Sequence, residues 1–232
     1  MSSEPGVKQH MHDNLANPMW ASLTSTHAGF AHTHGALKRF APDVAPFCAV
    51  EQDGADLGAA AGMQQGDVVY FLGTVPALPA GWTMLGESAV LQMVHAGPPP
   101  DGAHSDAPAL TDADRAAMLE LTALVYPEFF RPRTAELGKY IGVRGLGRLR
   151  AMAGQRLACT GYREISAVCT HPDDRRQGHA ARLISQLSGD ILDDGDIPFL
   201  HVSASNKQAW ELYEDLGFVA SRELRFVKVR VG

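Results

Sequence analysis

Apolar positions along this chain recur at two periods, and the changes between them mark out its elements. Met118, Leu121, Leu124 and Val125 follow helical spacing behind Thr111-Asp-Ala-Asp, a helix start with acidic residues in its first turn. A loop with Pro127 and Pro132 follows. Short strands are then predicted near Tyr140–Val143, Arg148–Ala153 and Glu164–Thr170. A helix over 178–193 carries Leu183, Ile184, Leu187 and Ile191 on one face. Pro198–Val202 reads as a buried strand. Asn206 to Leu216 reads as a helix with Ala209, Leu212, Tyr213 and Leu216 in register, and Gly217 sits at its C-cap. Two closing strands, Phe218–Ser221 and Leu224–Val231, finish the chain.

The N-terminal portion is less regular. Asn17-Pro18 opens a predicted helix running toward Phe40, followed by strands at Phe47–Glu51, Val68–Leu72 and Ala89–Val94. Between the portions lies AGPPPDGAHSDAPA, rich in Pro, Gly and Asp without apolar period, which reads as a linker. The expected organisation is a tail (1–16), an N-terminal α/β domain (17–95), a linker (96–110) and a C-terminal domain (111–232). No internal sequence repeat is visible.

Composition narrows the function classes. With 45% hydrophobic and 20% charged residues in 232, the chain reads as a soluble globular protein able to build a sizeable core. A net charge of -6 argues against a general nucleic-acid binder. No apolar run approaches the ~18 residues of a membrane span. Cys48, Cys159 and Cys169 form no CxxC pair, so a reducing compartment is expected. The N-terminus lacks the apolar run of a signal peptide, so the expected location is the cytoplasm. His10-Met-His12 and His32-Thr-His34 have no Cys or carboxylate at ligand spacing, and no metal is expected.

The most informative segment is ISAVCTHPDDRRQGHAARLI, from Ile165 to Ile184. A strand ends at Thr170, a turn follows, and Arg175-Arg-Gln-Gly-His-Ala180 leads into a helix. A helix N-terminus offers free backbone N–H groups and a positive dipole end, which suits an anion. Gly178 and Ala180 are small, and Arg175 and Arg176 add charge. This is a phosphate cradle in outline, without the patterns of a P-loop or a dinucleotide fingerprint. An ordinary helix start with surface arginines has the same appearance.

The segment resembles motif A of the GNAT superfamily of N-acetyltransferases, R/Q-x-x-G-x-G/A, here Arg175-x-x-Gly178-x-Ala180. Asn206-x-x-Ala209-x-x-Leu212-Tyr213-x-x-Leu216-Gly217-Phe218 is similar to its motif B helix and following strand. The resemblance covers roughly 111–232. ISAVCTHP and PFLHV look most like a branch related to glycine N-acyltransferases. It implies an α/β fold with a mixed, largely antiparallel central sheet, splayed strands and flanking helices. The N-terminal portion is permitted to be a degenerate copy of that fold. It also implies acetyl-CoA as acyl donor, an amine acceptor of unstated identity and, as a further allowance, a homodimer.

The same resemblance suggests roles. Pantetheine would lie along Ala167, Val168, Cys169 and Thr170, with the Val168 amide polarising the thioester carbonyl. Pyrophosphate would rest on the amides of Gln177, Gly178, His179 and Ala180. Asn206 would contact pantetheine, although a plain N-cap explains it equally. Tyr213 matches the tyrosine near the CoA sulfur. A phenol stays protonated at neutral pH and can donate to a departing thiolate; a core residue beside Leu212 and Leu216 is the other reading. Glu164 is the candidate general base, on one strand face with Ser166, Val168 and Thr170, with a raised pKa expected in a half-dry cleft; ordered water is the alternative. Cys169 is expected to point away from the Glu164 face as a buried apolar residue. His201 reads as a satisfied core histidine on a strand lining the cleft, and His171 as turn structure. Tyr126, Phe129, Phe130, Arg131 and Arg133 cluster in a loop that reads as a packed loop with solvated arginines or, in the alternative, as an aromatic and cationic lining suited to an acceptor carrying a carboxylate. The expected activity is direct acetyl transfer to a primary amine. The alternatives are a non-catalytic acyl-CoA-binding module and transfer of a longer acyl group.

Overall fold

A computed structural model describes residues 14–58, 63–103, 105–145 and 147–232. His10-Met-His12 lies outside them. The described residues form a ten-stranded sheet in the order β1-β2-β3-β4-β10-β5-β9-β8-β7-β6. The strands are β1 Ala31–His34, β2 Leu37–Phe40, β3 Phe47–Val50, β4 Val68–Leu72, β5 Thr83–His95, β6 Tyr140–Gly145, β7 Arg148–Cys159, β8 Tyr162–Thr170, β9 Ile197–Ser203 and β10 Phe218–Arg230. Neighbours run antiparallel except at β3/β4 and β8/β9, which are parallel. Among the described residues four α-helices flank the sheet: α1 Pro18–Thr24, α2 Arg115–Val125, α3 His179–Asp193 and α4 Lys207–Asp215. This is the expected mixed, mostly antiparallel α/β architecture.

Alternating strand positions feed two faces. On β7, Ala151 and Ala153 join Leu183, Leu187 and Ile191 of α3, whereas Met152 packs with Met118 and Leu121 of α2. Met19 and Leu23 of α1 pack with Phe40, Phe47, Tyr162 and Phe199. Thus β5, although N-terminal in the chain, is inserted between β9 and β10, and β10 reaches across to β4. The segment 96–110 is a boundary in the chain but not in the sheet.

Two local expectations need correction. The helix predicted to run from Asn17 toward Phe40 stops at Thr24. Thr24 and Ser25 turn their hydroxyls back onto the carbonyls of Trp20 (2.7 Å) and Ala21 (2.6 Å), competing with continuation of the helix. The rest becomes a short 3-10 turn and the β1–β2 hairpin, and His32 sits exposed on that edge strand. The two closing strands are one strand, β10, whose apparent break is a register shift between Ala220 and Arg222. Parts of the 96–110 segment are docked on α3. Gln186 of α3 accepts from the amide of Ala107 (2.8 Å) and donates to its carbonyl (3.1 Å), and Ala103 is buried against Gly189.

At Gly189 a Cβ would stand 2.6 Å from the carbonyl oxygen of Ala103, a backbone atom that cannot rotate away. Gly189→Val should therefore destabilise the protein by about 1–3 kcal/mol through overpacking. Urea unfolding checks this; unchanged stability would show that segment 96–110 yields freely.

Candidate active site

Strands β8 and β9 pair only at Tyr162↔Ile197, Arg163↔Pro198 and Glu164↔Phe199, then part. The parting coincides with a bulge in β8. Its register against β7 shifts between Met152 and Gly154, and Ala167 takes φ +51°, a left-handed value unusual for alanine. The gap holds a cavity of about 490 Å³. Ala167 and Val168 line it from β8, Ser203 from β9, and Asn206 and Tyr213 from the α4 region. Cys169 and Thr170 do not line it.

The bulge also overturns the expected alternation. Ile165 and Val168 both pack toward α3, while Cys169 joins Met118, Leu121 and Tyr140 on the α2 face. That places Cys169 on the side of Glu164, not opposite it. Burial pushes its thiol up to about 12, so it behaves as the apolar residue anticipated.

The loop that leads into α3 has a defined backbone, with support the sequence did not reveal. After a 3-10 turn at Pro172–Asp174, in which His171 accepts from the Asp173 amide, Arg176 takes φ +59° and Gly178 φ +75°. A Cβ at Gly178 would meet nothing within 4 Å, so the backbone conformation, not crowding, calls for glycine. No side chain caps α3, and the Arg182 amide bonds the Gly178 carbonyl. The amides of His179, Ala180 and Ala181 precede that first intrahelical bond and carry the dipole's positive end. Arg175 lines the cavity; Arg176 and Gln177 are exposed. The loop is held from beneath. Asp174 is buried and receives hydrogen bonds from Arg148 (2.9 Å) and Arg150 (2.8 Å), and Arg150 also reaches Gln177 (2.8 Å). Two arginines alternating on a predicted strand were the signal for this brace.

Glu164 departs from its expected half-dry environment. It is 1% exposed and receives both Nε and Nη2 of Arg156, at 2.8 and 2.7 Å, and Nδ1 of His201 at 2.7 Å. Burial alone would raise its pKa. The Arg156 charge and the hydrogen bonds from His201 and Arg156 outweigh that and hold the carboxyl well below the usual carboxylate range. The expectation of a raised pKa is therefore corrected, and with it the chemical case for Glu164 as a base: both oxygens are engaged and the group stays ionised. The carboxylate fixes the His201 tautomer with its proton on Nδ1. Nε2 of His201 then accepts from Gln92 Nε2 (3.2 Å), which also donates to the carbonyl of Leu15 (3.0 Å). His201 is thus satisfied at both nitrogens, with its ring at the cavity wall.

Tyr213 is buried in the α3/α4 cluster, edge-on to Phe218 at 6.2 Å, while still lining the cavity. Burial, aided by nearby Tyr126 and Cys169, pushes its phenol up to about 12. Asn206 caps α4, accepting from the Ala209 amide at 3.2 Å, and also lines the cavity. The loop after α2 divides its residues. Tyr126 and Phe129 face the cavity, Phe129 stacked on Phe47 at 5.9 Å. Phe130 turns to Tyr140 instead, and Arg133 is bound at the surface by Glu136 and Asp43. The cation that lines the aromatic end is Arg156, lying over the Phe47 ring at 4.7 Å. No local motif in the sequence marks Arg156.

A family model described as FR47-like protein matches residues 140–227. A crystal structure of a putative acetyltransferase from the GNAT family of Novosphingobium aromaticivorans is 33% identical, covers 94% of this chain and 98% of its own, and superposes with a TM-score of 0.84. A GCN5-related N-acetyltransferase from Kribbella flavida shares the fold at 16% identity, over 92% of this chain and 95% of its own, with a TM-score of 0.55. A GNAT-family acetyltransferase from Colwellia psychrerythraea does so at 16% identity, over 66% and 58%, with a TM-score of 0.51. No curated relative matches the chain. The chain belongs to the GNAT family of acetyltransferases, and it is an acyltransferase enzyme. Among the described residues no helix is long and apolar enough to cross a membrane.

The ion pair gives a test of the buried site. Glu164→Gln leaves Arg156 buried without its counter-ion and should cost about 3–5 kcal/mol at pH 7. The folded pKa is depressed, so this contribution is present above the unfolded value of about 4.3. It is lost as pH falls through the folded pKa. Urea unfolding of both proteins across that range should show the difference shrinking only at the acid end; a pH-independent difference would contradict the assignment.

Proposed function

We propose that this protein transfers acetyl from acetyl-CoA directly to the primary amine of a small molecule or amino acid. The observation that carries this reading is the open, uncapped start of α3 beside the β8/β9 gap, with the Tyr213 phenol at the same cavity. On this reading the amides of Gln177 to Ala180 hold the pyrophosphate, with Arg175 and Arg176 adding charge and Asn206 contacting pantetheine. Pantetheine runs along Ala167 and Val168, whose backbone lost its β9 partner where the strands part. The Val168 amide donates to the thioester oxygen as negative charge develops there.

The neutral amine attacks the thioester carbon, the C–S bond breaks, and Tyr213 donates to the departing sulfur. A phenol near 12 is a weak acid, but the same dry surroundings raise the proton affinity of the thiolate, so the two remain matched. The proton lost by the amine passes to solvent water, because Glu164 is locked to Arg156 and His201. Glu164 then acts as a positioning residue. The buried, free Cys48, Cys159 and Cys169 fit a reducing, cytoplasmic setting. The segments ISAVCTHP and PFLHV support a place beside the glycine N-acyltransferase-related branch. The helix and strands of 17–95 support reading that half as a degenerate copy of the 111–232 fold.

CoA release with acetyl-CoA and a panel of amines and amino acids tests the reaction. Tyr213→Phe should lower kcat by about 10²-fold or more while the KM for acetyl-CoA stays nearly constant. Unchanged turnover in this variant would remove Tyr213 from the mechanism.

A further inference from the structure

The cavity wall facing the β8/β9 gap has a chemical character that narrows the acceptor. Its only charged lining residues among those described are Arg156 and Arg175, and no Asp or Glu lines it. Arg175 belongs to the cradle end. Arg156 stands at the other, among Phe47, Tyr126, Phe129 and Phe226.

Arg156 is only partly used. Its side chain is 11% exposed, and its Nε–Nη2 edge is spent on Glu164. Nη1 has no partner among the described residues, yet is not fully buried. A guanidinium presents its donors as two forks. With one fork closed by Glu164, the Nη1–Nη2 fork remains, and its geometry matches a carboxylate. Glu164 cannot serve an incoming cation, since Arg156 and His201 occupy its oxygens. A polyamine or a lysine side chain would therefore bring positive charge to a wall that offers no counter-charge. An amine that carries its own carboxylate meets the open fork, and the aromatic residues accept an apolar side group.

We propose that the acceptor is an aminocarboxylate with an apolar or aromatic side group, and that the open Nη1–Nη2 fork of Arg156 receives its carboxylate. This rests on the acetyltransferase reading above. It transfers recognition from Arg131 and Arg133, which do not line the cavity, to a strand arginine.

The test uses the intact wild-type enzyme, acetyl-CoA and matched acceptors: L-phenylalanine, L-leucine and L-methionine, their methyl esters, and the corresponding decarboxylated amines. The expected result is kcat/KM at least ~100-fold higher for the free amino acids, because the other acceptors cover the donor fork without giving it a partner. Arg156→Lys keeps a cation beside Glu164 but loses the fork. It should raise KM for the amino acid about 10-fold or more relative to any change seen with the esters and the amines. Esters or amines that react as well as the amino acids would overturn the acceptor class while leaving acetyl transfer intact. So would CoA release with a polyamine or lysine side chain only. An Arg156→Lys loss shared by all acceptors would reduce Arg156 to a structural ion pair and overturn its recognition role. CoA release with no amine at all would overturn the acetyltransferase reading beneath.

Discussion

Two parallel strands that part inside a protein strand their own backbone N–H and C=O groups, and each buried group left unpaired costs about 1–3 kcal/mol. Here β8 and β9 part after three paired positions, and Glu164 is the last of them on β8. What grips the strands at that point is a buried polar chain: Arg156 of β7, Glu164 of β8, His201 of β9, Gln92 of β5 and the carbonyl of Leu15. It crosses four neighbouring strands and satisfies nearly all of its members, which is the condition for such a network to specify one arrangement. The gap, the cavity and the exposed amide edge of β8 all follow from where this clamp ends.

The rest of the architecture is arranged around that opening. The bulge at Ala167 turns the upper part of β8, so that Val168 packs toward α3 while Ala167 and Cys169 pack toward α2. The N-terminal half completes the site rather than accompanying it. It contributes β5 to the sheet and Phe47 to the cavity wall, and it is bound to the C-terminal half through β10. Removing residues before the linker would take a central strand out of the sheet and one side off the cleft.

Much of this was legible in the sequence where the physics is local. The amphipathic spacing of α3 and α4, the glycine at the start of α3 and the Asn206 cap depend on residues a few positions apart, and each lies where it was expected. What was not legible depends on register. Arg156 and Glu164 are close in sequence, but two register shifts intervene between β7 and β8, and a simple alternation rule fails there. That failure concealed the ion pair, reversed the side assigned to Cys169 and suggested a raised pKa for a carboxylate that is in fact held ionised. Similarly, the sequence from Thr24 onward has apolar content compatible with a helix, but hydroxyl back-bonding and hairpin pairing with β3 win over it.

The parted strands and the uncapped start of α3 are proposed to form one acyl-CoA site. A crystal structure of the protein with CoA tests it most directly. Pyrophosphate oxygens should lie against the amides of residues 177–180, with pantetheine between β8 and β9, bonded to the backbone near Ala167 and Val168. CoA bound elsewhere on the surface, with the gap between β8 and β9 vacant, would contradict it.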